Sequence, residues 1–133
     1  MHHYARRQTA LLMGRLAEAL ERAAKEVDEE SIHDVRVAMR RLNRCLQVFA
    51  PFYPPGSAKK VRRRISALMS AAGAVRDCDI AIELMGRAGL PRRSAIVIEL
   101  TAQRRKAGHE LMRGIRRWRS RGQLHRWHKR LGL

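Results

Sequence analysis

The segment Ser31 to Phe49, SIHDVRVAMRRLNRCLQVF, constrains this chain more than any other, because it fits only a helix that is dry on one side and wet on the other. Ile32, Val35, Met39, Leu42, Leu46 and Phe49 recur at three- and four-residue steps and share one side. His33, Arg36, Arg40 and Arg44 recur on nearly the opposite side. At 1.5 Å rise per residue, that second row is a basic ladder roughly 16 Å long. Evenly spaced arginines headed by a histidine suit an extended chain of negative charges better than a small neutral substrate.

The charge of the whole chain points the same way. Among 133 residues, 29 Lys+Arg face 12 Asp+Glu, for a net charge of +17. Residues 1–30 are close to neutral, with five basic and six acidic side chains, so residues 31–133 carry the entire excess. A single-sign excess of this size exceeds what solubility needs and implies a polyanionic partner: nucleic acid, polyphosphate or an anionic membrane surface. Exposed aromatic residues, on which single-stranded nucleic acids stack, are scarce. No apolar stretch approaches the roughly 20 residues that span a bilayer. The run Ala10 to Met13 is too short for a signal peptide, and the expected location is cytoplasmic. Cys45 and Cys78 do not make a disulfide framework and read as small buried residues.

Breakers divide the chain into helices, and no segment alternates as a strand does. The expected helices cover about 4–27, 31–50, 57–86 and 91–120, with a short fifth helix at 123–130. Leu11, Leu12, Leu16, Leu20 and Val27 form the expected core side of the first helix. Ser31 with Asp34 resembles a capping box, Ser57 is the expected N-cap of the third helix, and Pro91 suits the first turn of the fourth. Short connections give an all-α, antiparallel four-helix bundle with long helices, within a single domain spanning 1–133. In the third helix, Asp79 falls within the apolar stripe Val61, Ile65, Leu68, Ala72, Val75 and Ile82. A carboxylate in such a seam needs a partner, most simply an arginine from a neighbouring helix.

Further basic side chains gather on the third and fourth helices. Lys59, Lys60 and Arg63 stand at the start of the third, in a KKVRRR run. Lys106, His109, Arg113 and Arg116 form a second ladder along the fourth. Asp77 and Asp79 diverge on a helix and cannot share a metal or a phosphoryl group. His125 and His128 have no third ligand, and no nucleophile–base constellation or glycine-rich phosphate loop is present. The residues therefore predict no catalytic site, no metal and no cofactor.

The motif His33–Asp34–Val35–Arg36–Val37–Ala38–Met39–Arg40–Arg41–Leu42–Asn43–Arg44 resembles the hallmark of the CHAD family, the conserved histidine α-helical domain. There a histidine is followed by an arginine-valine pair and then by a double arginine and leucine. Val75–Arg76–Asp77–Cys78–Asp79–Ile80 resembles the second landmark, with Ile80 in place of valine. The resemblance covers about residues 1–120. It implies a helical module that binds inorganic polyphosphate without catalysis, in some members beside a separate triphosphate-hydrolase domain. Carried over by position, the ligand face would include His33, Arg36, Arg40, Arg41 and Arg44, with Arg76 added, whereas Asp77 and Asp79 would be structural. The chain departs from the family in having one helical repeat where two are usual, so a homodimer is expected to supply the second. The same resemblance allows an association with polyphosphate granules. A nucleic-acid-binding protein and a scaffold for an acidic protein partner are the competing readings.

Overall fold

The computed structural model describes residues 2–133. It is all-α, with five α-helices and no strand among the described residues. They are α1 (His2–Lys25), α2 (Glu29–Val48), α3 (Ser57–Arg87), α4 (Ala95–Ser120) and α5 (Gln123–Leu131), with a short 3₁₀ turn at Ala50–Phe52. The short helix expected at 123–130 forms as α5 and packs on α1, α3 and α4, so the all-α assembly has five helices where a four-helix bundle was expected. No helix among the described residues is long and apolar enough to cross a membrane.

Apolar periodicity positions the four long helices. Ile32, Val35, Met39, Leu42 and Leu46 of α2 are fully buried, so the basic ladder on the other side of that helix must face solvent. They pack with Met13, Leu16 and Leu20 of α1, Val61, Ile65 and Val75 of α3, and Leu111 and Ile115 of α4. The α1 side differs from the expected one: Leu11 is exposed and Leu12 and Val27 are half-buried, while Met13, Ala19 and Ala23 point inward. Adjacent leucines sit about 100° apart on a helix, so packing against α2 had to choose one stripe.

Helix ends follow local hydrogen bonding. Asp28, not Ser31, caps α2: its carboxylate accepts from the Ser31 N–H at 2.7 Å, and the Ser31 hydroxyl accepts from the Asp28 N–H at 3.1 Å. Hydrogen bonding from Ser31, its N–H contributing most, holds the Asp28 carboxyl below its ordinary range. Gly56, at φ 77°, precedes α3, and the Ser57 hydroxyl donates back to the Pro54 carbonyl. Pro91 lies in a turn instead of opening α4, which begins after Ser94. The α3 end is a Schellman motif: Gly89, at φ 85°, donates to Gly86, and Leu90 donates to Met85.

Near one end of the assembly, buried Tyr53 meets Thr9 and donates to the Ala5 carbonyl at 3.3 Å, fastening the 50–56 connection to α1. Burial pushes its phenol above the ordinary value. Higher up, Arg104 of α4 donates from Nε to Asp79 of α3 at 3.1 Å and from Nη2 to the Val27 carbonyl at 2.8 Å. A Cβ on Gly108 would come within 2.9 Å of Arg104 Nη1, so the glycine leaves room for this clamp. Beyond it α1 and α2 have ended, and α3 and α4 continue as a protruding helical hairpin. The accessible surface, 8611 Å², accordingly exceeds the roughly 7,100 Å² of a compact monomer of this mass.

Replacing Arg104 with Met strands the Asp79 carboxylate among apolar side chains. With both groups about one-fifth exposed, the expected loss is about 2 kcal/mol, below that of a fully buried pair. Asp79→Ala with Arg104→Met should recover part of it in urea unfolding. A double variant no more stable than Arg104→Met would show that the pair does not couple.

Candidate polyanion-binding surfaces

α1 packs on α2 and α4, and so does α3, which leaves α2 and α4 at opposite corners of the assembly. The two basic ladders therefore face away from one another. The single basic surface expected across several helices divides into three regions.

The first is the outer side of α2. His33, Arg40 and Arg44 are exposed and Arg36 is half-buried. None of the three arginines enters an ion pair among the described residues. Two contacts join this helix to α3. Arg62 Nε donates to Asn43 Oδ1 at 3.0 Å, and Arg76 Nη1 donates to Glu29 Oε1 at 2.9 Å. They lie fourteen residues apart on each helix, roughly 21 Å. Arg36 and Arg40 fall between these levels and Arg44 just beyond. Arg76 stands beside α2 as expected of it, but Glu29 already engages it. Arg62 belongs to the KKVRRR run, and its alignment with Asn43 could be read only once α2 and α3 were in register. Arg41, about 100° around the helix from Arg40, joins His33 at a cavity of about 370 Å³ on the α1 side, lined also by Arg15, Arg22, Glu18 and Asp34.

The second region is the outer side of α4. His109, Arg113 and Arg116 line a cavity of about 610 Å³ with Arg105 and with Lys25 from the end of α1. Lys106 joins His109 and Arg113 in an adjoining hollow. Lys25 and Arg105 escaped the sequence reading. Lys25 lies in the near-neutral leader, and only the packing of α1 on α4 brings it here.

The third region lies where α3 begins. Lys60 and Arg63 line a cavity with α5, while Lys59 is exposed on the same turn. Among the acids, Asp77 is exposed, and Asp79 is half-buried under Arg104. The segment Arg76 to Asp79 thus ties α3 to α2 on one side and to α4 on the other.

The ladder of His33 to Arg44 and this tethering segment are the two landmarks of one family, and the CHAD domain model matches residues 7–132. The chain belongs to the CHAD domain family. The match extends past the 1–120 expected, taking in α5 and nearly the whole CHAD chain. No curated protein and no solved structure matches it.

Because the α2 and α4 surfaces of this CHAD domain face away from one another, charge reversals on them should act independently. Arg40→Glu with Arg44→Glu, and separately Arg113→Glu with Arg116→Glu, should each weaken long-chain polyphosphate binding at the reversed surface by roughly tenfold. Each reversal should leave the other surface at wild-type affinity, so that only the combination weakens overall binding as much. Single reversals that each lower the overall affinity tenfold and add in free energy, measured by titration at fixed salt, would mean that one ligand bridges the two surfaces.

Proposed function

We propose that the protein is a non-catalytic module that binds inorganic polyphosphate by its arginine, lysine and histidine side chains. The observation that carries this reading is the α2 ladder, exposed opposite a fully buried apolar stripe, with Arg36, Arg40 and Arg44 free of acidic partners among the described residues. The family is associated with polyphosphate binding. Arginine supports it chemically, because a planar fork of donors matches phosphate oxygens. Binding would release counterions, so affinity would fall steeply with salt. Divalent cations would travel with the ligand and compete for it.

Duplex DNA offers the same backbone charge but needs amide side chains for base readout. The ladder offers only Asn43 and Gln47, and Asn43 is committed to Arg62. Competition at fixed salt between long-chain polyphosphate, duplex DNA and RNA tests the reading. Polyphosphate is expected to displace both nucleic acids, and equal or tighter binding of DNA would defeat it.

A second copy of the chain is also part of this proposal, and the protruding hairpin is the surface that supports it. Ile80, Leu84, Leu90, Ile96 and Ile98 are more than one-third exposed there. Residues 77–103 hold four acids and three arginines, a net of −1, so the remainder of the chain carries +18. Strongly cationic molecules repel one another least where charge is balanced, and this near-neutral tip also exposes apolar side chains. Sedimentation at micromolar concentration should give the mass of a dimer, and Ile80→Ser with Leu84→Ser the mass of a monomer. A monomeric wild type would remove the second chain from the proposal.

A further inference from the structure

The cavity between the start of α3 and α5 differs from the ladders in shape and in chemistry. It encloses about 370 Å³ and is lined by Lys60, Arg63 and Arg64 of α3, Arg126 and Arg130 of α5, and Trp127. No acid lines it, and none of its five cations enters an ion pair among the described residues. Gln123, buried at 5% exposure, stands at the junction with a second hollow, which Arg117, Arg121 and Trp118 line together with the acid Glu110.

Five unpaired like charges around one small volume repel one another, and the apolar indole wall weakens solvent screening there. The arrangement persists because α5 is held by other means: Trp127 and Leu131 are 2% and 1% exposed, and the Trp127 ring meets Trp118 edge-on at 6.1 Å. Trp127 Nε1 is buried with no hydrogen-bond partner. The core thus fixes cations of two helices around a space that holds no counter-charge of the chain's own. A multivalent anion of small volume is the ligand that such a space fits.

An interior phosphate of a condensed chain carries one charge and two free oxygens. A terminal phosphate has three free oxygens and, with a second pKa near 6, close to two charges at neutral pH. The ladders suit the interior of a chain, whereas a cavity lined by cations from two helices suits its end. We propose that the α3–α5 cavity is a separate subsite for the terminal phosphates of a condensed phosphate, either a short free chain such as tripolyphosphate or the end of a long one. This rests on the polyphosphate reading for the identity of the ligand. The role it gives to α5 is distinct from that of the α2 ladder.

The chain's two tryptophans, Trp118 and Trp127, stand at these hollows, so intrinsic fluorescence reports on the site without a label. Tripolyphosphate should produce a saturable fluorescence change. Arg126→Gln with Arg130→Gln, both exposed and leaving the packed side of α5 intact, should raise its half-point by tenfold or more with helicity unchanged. Arg40→Glu with Arg44→Glu should leave that half-point within about twofold. Titrations with short- and long-chain polyphosphate should superimpose when plotted against the concentration of chain ends. The subsite is overturned if the α5 variant responds as wild type does, if sulfate at matched ionic strength gives an equal response, or if the titrations superimpose on total phosphate instead. Unchanged tripolyphosphate binding by the α5 variant, with long-chain binding lost on reversing the α2 and α4 ladders together, would remove this subsite alone. Failure of the wild type to bind any condensed phosphate would remove both readings.

Discussion

A small apolar seam has to hold together a surface that repels itself. Among the described residues only five ion pairs form, so most of the 29 cationic side chains stand without an acidic partner. Their mutual repulsion opposes folding, and the stripes of α1 to α4 must outweigh it by burial alone. The ladder of α2 exists only because Ile32, Val35, Met39, Leu42 and Leu46 are fully enclosed behind it. The cations of α5 are likewise fixed by Trp127 and Leu131, which give that helix its place. In each case apolar burial holds charges where they would not gather by themselves.

The few acids are placed where they do the most structural work. Asp28 caps α2, Glu29 engages Arg76, and Asp79 meets Arg104. All three lie at the level where α1 and α2 end and the α3–α4 hairpin continues. Arg104 also takes the Val27 carbonyl, so one guanidinium joins α3, α4 and the α1–α2 connection. This girdle separates the molecule into a basic body and a near-neutral apolar tip. The body would meet phosphate, and the tip is the part that another molecule of the same charge could approach.

Much of the fold was legible because helical periodicity is a local property. The stripe of α2, the divergence of Asp77 and Asp79, and the need of Asp79 for a partner all follow from 3.6 residues per turn. Helix ends were less legible, since several residues compete for the same backbone groups. Ser31 offers a cap, but Asp28 accepts from the Ser31 N–H and the serine takes the reciprocal position. Pro91 suits a first turn, but the Ser94 hydroxyl donates to its carbonyl and α4 starts later. In α1, the choice between Leu11 and Met13 could not be made without knowing where α2 lies.

The sequence by itself determined that this chain is helical, that it is built to meet a polyanion, and which family motifs its second and third helices carry. These are properties of single segments, fixed by spacing and charge. Tertiary structure alone decided which basic residues belong together. It placed α2 and α4 at opposite corners, set Arg41 against α1, committed Asn43 to Arg62, and brought Arg126 and Arg130 from the end of the chain against Lys60 and Arg63. The physical reason is that a helix's periodicity tells which of its residues share a side, whereas only packing between helices tells what that side faces.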